Sequence, residues 1–104
     1  MAEFVKVAKT SDIEDQCARC VEIGGHPIAL FNLGGEFYAI DDLCTHEDAP
    51  LSEGYVEGEE VECPWHAARF NIKSGKALCE PAYEDVSAYK VRVVGDDIEV
   101  EFGK

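Results

Sequence analysis

Positive charge is what this 104-residue chain has least of. Nine lysines and arginines stand against twenty-two aspartates and glutamates, for a formal net charge of −13. Such a surface repels nucleic acid and anionic membranes, which argues against both as partners. A basic protein partner is attracted and steered instead, in a salt-dependent way. Long apolar runs are missing too, and none approaches the roughly 20 residues of a membrane-spanning helix. The start, Met1-Ala2-Glu3-Phe4-Val5-Lys6, has neither the basic nor the apolar region of an export signal, so the expected compartment is the cytoplasm. Repeats, low-complexity tracts and linkers are absent as well, which leaves one domain over 1–104.

Apolar content of 46% and aromatic content of 10% are ordinary for a globular chain. Short alternating runs are separated by Gly, Asp and Pro. Phe4–Val7, Arg19–Ile23, Ile28–Leu33, Glu36–Ile40, Val61–Cys63, Arg69–Ile72, Ala88–Val94 and Ile98–Phe102 read as strands. Gly24-Gly25-His26-Pro27, Gly34-Gly35, Lys73–Lys76 and Gly95-Asp96-Asp97 read as turns, and Thr10–Ile13 as one helical turn at most. The last two strands alternate as a hairpin with one buried face. The pattern predicts an all-β antiparallel sandwich or barrel. The stretch 41–60, rich in Asp, Glu, Gly and Pro, reads as irregular.

Five cysteines are an odd number, and two of them stand beside histidines. Without an export signal, that argues for metal rather than disulfides. The constellation is Cys44-Thr45-His46 and Cys63-Pro64-Trp65-His66, or C-x-H-x16-C-x2-H. Each half supplies one thiolate and one imidazole, as two loops clamping one cofactor would. A [2Fe–2S] cluster takes two cysteines on one iron and two histidines on the other, and this raises its potential above that of all-cysteine clusters. A zinc site accepts the same four ligands, but zinc modules more often pair cysteines as C-x2-C and histidines as H-x3-H.

These two loops, with Leu51-Ser52-Glu53-Gly54 after the first and Phe70-Asn71 to Ser74-Gly75-Lys76 after the second, resemble the Rieske family over nearly the whole chain. They are most similar to the Rieske ferredoxins of aromatic-ring-hydroxylating dioxygenase systems. The resemblance implies an antiparallel β-sandwich base with a small inserted cluster-binding subdomain at about 42–82. It implies a soluble one-electron carrier rather than an enzyme, working between a flavin reductase and a terminal oxygenase. The alternative is a Rieske-like small subunit of an assimilatory nitrite reductase, which often lacks the ligands. An oxygenase subunit is excluded by counting, since only His26 would remain to build its second, mononuclear iron site.

Two departures from high-potential Rieske proteins matter. Ala49 and Trp65 stand where those proteins carry an extra disulfide-forming pair. Ala68 and Phe70 stand where they carry hydroxyls that hydrogen-bond to sulfur. Loss of those donors places the potential at the low end of the Rieske range, roughly −150 mV. His46 and His66 as ligands would also couple proton and electron transfer at alkaline pH.

The remaining candidates are read as structural. His26 is expected to be a surface turn residue. Cys17 and Cys20 should face opposite sides of a strand as half-buried thiols. Cys79 should pack near the cofactor without ligating it. Pro50, Leu51, Trp65 and Pro81 should form an apolar collar on which a partner could dock.

Overall fold

The computed structural model describes residues 3–43, 50–64, 69–78 and 85–102. Among the described residues ten strands follow one another: β1 (Glu3–Lys9), β2 (Cys17–Ile23), β3 (His26–Leu33), β4 (Glu36–Asp41), β5 (Tyr55–Glu57), β6 (Glu60–Glu62), β7 (Arg69–Asn71), β8 (Ala88–Tyr89), β9 (Val91–Val94) and β10 (Asp97–Phe102). Short 3₁₀ turns occupy Thr10–Asp12 and Leu51–Glu53. Three antiparallel sheets result, in the orders β1-β10-β9, β2-β3-β4-β8 and β5-β6-β7. The fold is therefore all-β and antiparallel. Among the described residues, no helix is long and apolar enough to cross a membrane.

Turn chemistry sets the pairing. Gly34 and Gly35 both have positive φ, at 66° and 92°, which a two-residue hairpin turn with native twist demands. They place Leu33 opposite Glu36 and so fix the β3–β4 register. The preceding turn is shorter than expected. Only Gly24 and Gly25 turn, while His26 and Pro27 already pair with Ile23 and Glu22. His26 is thus the first residue of a strand.

β3 is apolar on both faces, and it separates two cores. Ile28 and Leu30 pack with Ala8, Ile13, Val21, Ile23, Ala39, Ile98 and Val100. Ala29 and Phe31 face the other way, toward Ile40, Leu51, Val61, Cys63, Phe70, Ile72 and Val86. One polar side chain is buried at its end. Asn32 Nδ2 donates to the Ile13 carbonyl at 2.8 Å, and its Oδ1 accepts from Gly35 N at 2.8 Å.

The expected strand 88–94 is two strands. Ala88 and Tyr89 pair with β4, whereas Val91–Val94 pair with β10, and the chain crosses between sheets at Lys90. Continuous alternation hides a change of partner. The buried face of the last hairpin belongs to β10, through Ile98 and Val100, while Val93 and Val94 of β9 are exposed. The stretch 41–60 also holds β5, whose three residues, Tyr55-Val56-Glu57, are too few to show an alternation.

Candidate metal centre

Of the four expected ligands, Cys63 lies among the described residues; Cys44, His46 and His66 lie outside them, as do Ala49, Trp65, Ala68, Cys79 and Pro81. Among the described residues, no group of three or more His, Cys, Asp or Glu is placed to hold a metal ion.

Cys63 follows β6 directly. That strand sits in the middle of the small sheet, with Val61 opposite both Val56 and Phe70. Val61 and Phe70 are wholly buried, and Cys63 is 1% exposed with a free thiol. A buried thiol beside a phenyl ring and aliphatic side chains suits a cofactor ligand that must be kept from water. Phe70 shares this core and carries no hydroxyl to donate to sulfur.

The roots of three loops meet around this thiol. The first loop, 44–49, leaves and returns at the Leu43–Pro50 bridge. The second, 63–68, leaves and returns at the Glu62–Arg69 pair. The third, 79–84, is closed by a bond from Ala77 N to Asp85 Oδ1 at 2.8 Å. Leu78 N donates to the Arg69 carbonyl at 2.8 Å, which ties the third root to the second. The first root is tied to the second at Gly54, which packs so closely on the Glu62 carbonyl that a Cβ there would collide with it. The first and third are joined between Asp41 and Ser87, whose main chains bond at 2.9 Å. The described residues that flank segments 44–49, 65–68 and 79–84 are therefore tied into one hydrogen-bonded base beside Cys63.

That base is acidic outside. Arg69 reaches Glu57, Glu60 and Glu62 at 3.1, 3.2 and 3.1 Å, so one guanidinium serves three carboxylates. Their hydrogen bonds, those of Glu57 and Glu60 first, raise the pKa of the Arg69 guanidinium.

Other expectations change. Leu51 is wholly buried in the core and offers a partner no surface; Pro50 is half-buried. Cys17 and Cys20 are both exposed rather than half-buried. The Cys20 sulfur is nevertheless pushed up to about 11, by burial of the thiol first and then by hydrogen bonding to Asp42, with the charges of Asp42, Glu22 and Glu53 adding. This lowers the thiolate fraction at neutral pH and with it the thiol's nucleophilicity.

His26 is more than a surface residue. Its Nε2 donates to Asp41 Oδ1 at 2.7 Å, and the Tyr89 hydroxyl donates to the same oxygen at 2.6 Å. Partial burial would raise the Asp41 carboxyl, but the bonds from Tyr89, His26 and Ser87 N outweigh it and hold the group below the usual carboxylate range. Tyr89 is driven well above the usual phenol range, by burial first and then by Asp41. Residues 26, 41 and 89 carry no common sequence signal.

Residues 3–90 match the family model for the Rieske [2Fe–2S] domain, and the chain belongs to that family. It is 59% identical over 75 residues, 71% of each chain, to the 3-phenylpropionate/cinnamic acid dioxygenase ferredoxin subunit of Shigella flexneri. Its structure superposes with a TM-score of 0.88 and 34% identity on a chain from the complex of reduced oxygenase and oxidised ferredoxin in carbazole 1,9a-dioxygenase, over 94% of this chain and 92% of that one. A nitrite reductase small subunit from Mycobacterium tuberculosis aligns over 100% and 98% of the two chains with a TM-score of 0.89, but its 20% identity speaks to the fold alone.

Proposed function

We propose that this chain is a one-electron carrier that holds a single [2Fe–2S] cluster on Cys44, His46, Cys63 and His66. It takes electrons from a flavin-dependent reductase and gives them to the terminal oxygenase of an aromatic-ring-hydroxylating system. The observation that carries this reading is the shared base of three loops beside the buried Cys63 thiol. The relatives named as ferredoxin subunits, and the oxygenase–ferredoxin complex, support the same direction of electron flow.

In this reading Cys44 and Cys63 would hold the cluster as thiolates, and His46 and His66 as neutral imidazoles. The bound cluster supplies the capacity to hold one electron, at a potential above that of all-cysteine clusters. The chain's own residues set the surroundings. Leu51, Val61 and Phe70 keep water from the Cys63 side. Phe70 gives its sulfur no hydrogen-bond donor, which favours the oxidised state and a potential of roughly −150 mV. The glutamates around Arg69 present negative charge at the same end, to meet basic patches on transient partners.

The whole of 1–104 acts as one domain, with its cluster-binding subdomain at about 42–82, and works in the cytoplasm. The complete ligand set favours a carrier over a nitrite reductase subunit.

Iron and sulfide analysis, with an EPR spectrum of the dithionite-reduced protein, tests the assignment. Two irons and two sulfides with a Rieske-type signal are expected; a colourless zinc protein overturns it. A clearly positive potential on redox titration overturns the low-potential reading alone.

A further inference from the structure

Asp41, the last residue of β4, has its carboxylate held from three directions. Oδ1 accepts from the Tyr89 hydroxyl and from His26 Nε2, and Oδ2 accepts from Ser87 N at 3.1 Å. The rings of His26 and Tyr89 both pack on Phe102 of β10, with centroids 5.4 and 5.7 Å away. The group thus spans both larger sheets. Asp42 continues the tie, for its N donates to the Pro27 carbonyl at 3.2 Å and its Oδ1 accepts from Ser52 N at 2.8 Å. Two adjacent residues therefore fasten the outgoing end of loop 44–49, its return at 50–52, and the return of loop 79–84 at 85–87.

An exposed surface ion pair contributes little and needs no such arrangement. Three donors on one partly buried carboxylate make a rigid joint, because bonds to a charged group are the strong ones. The joint sits where an electron carrier needs rigidity, at the base of ligand loops that must keep one geometry in both oxidation states. It also fixes a negative charge close to the first ligand loop, since three residues of chain span at most about 11 Å.

We propose that Asp41, clasped by Tyr89, His26 and Ser87, is the positioning residue for the cluster: it fixes the roots of the ligand-bearing loops and sets a constant negative charge beside them. This rests on the carrier reading above.

The test uses the full-length holoprotein with Asp41→Asn, Tyr89→Phe and, as a control of modest stability cost in the core away from Cys63, Ile98→Val. Tyr89→Phe keeps the ring and removes the donor. Hydrogen exchange at the amides of Asp41, Ser52 and Ser87 should quicken about tenfold in Tyr89→Phe and Asp41→Asn relative to the control. Release of iron to a chelator, followed by bleaching of the visible absorbance, should quicken by a similar factor. The reduction potential should rise in Asp41→Asn and stay put in Tyr89→Phe. Iron release in the two clasp variants no faster than in Ile98→Val, or an unmoved potential in Asp41→Asn, overturns the positioning role while leaving the carrier reading intact. A wild-type preparation without iron and sulfide overturns both, and faster exchange at those amides would then mark the clasp as purely structural.

Discussion

The two cores on either side of β3 are built on different terms. The one beneath β1 and β10 is aliphatic at its buried centre, from Ile28 and Leu30 to Ile98 and Val100, and its strands β1 and β10 pair along their length but for a bulge at Val7. The one beneath the small sheet takes in a cysteine and is walled by strands of three residues, with much of its order coming from loop roots joined by single hydrogen bonds. The first supplies stability without needing a cofactor. The second holds Cys63, the one proposed ligand among the described residues.

The sharpest break in that contrast is Cys63→Ser. Loss of a thiolate ligand should abolish the cluster, seen as absent iron and EPR signal, while far-ultraviolet circular dichroism keeps the β signature of the larger sheets. Next come truncations on opposite faces of β3. Phe31→Ala should cost about 3–5 kcal/mol and Leu30→Ala about 2–5 kcal/mol in denaturant unfolding. Only Phe31→Ala, which opens the core holding Cys63, should also hasten loss of the visible chromophore. A smaller effect comes from Gly54→Ala, where the new methyl must displace the Glu62 carbonyl just before Cys63. It should lower stability by about 1–3 kcal/mol, with a shifted EPR spectrum. Phe70→Tyr adds a hydroxyl to the cysteine-bearing core; if it reaches a sulfur, one hydrogen bond raises the potential by about 20–60 mV in a redox titration.

The smallest expected effect is at the pH extremes. Asp41 is held below its unfolded value, so its contribution is full at neutral pH and fades as pH falls through the lowered folded value. Tyr89 is raised, so its contribution is full below the ordinary phenol range and fades only at strongly alkaline pH. Melting temperatures should therefore fall less steeply toward pH 3 in Asp41→Asn than in the wild type.

Much of this was legible in the sequence, for local reasons. Paired glycines at 34–35 announce their hairpin because they alone accept both turn conformations. The two Cys/His clusters mark a candidate centre because few cofactors use both ligand types at that spacing, though of its four residues the structure describes Cys63 alone. Lys90 could not be seen as the crossing between sheets, because Tyr89 to Val93 alternates straight through it. The Asp41 clasp joins residues 15 and 48 positions apart, so only folding brings them together. Leu51 reads as a rim residue beside Pro50, but the 3₁₀ turn rolls it inward.

A strand greasy on both sides, as β3 is, has a weakness of its own. Sliding it by one position would swap Ile and Leu for Ala and Phe against each wall, and hydrophobicity would barely object. The two-residue turns at both of its ends oppose the slide, and so does Asn32, whose amide would lose both its main-chain companions and stand dry and unanswered. A single buried amide thus adds a directional lock to a strand whose apolar residues alone would tolerate either facing.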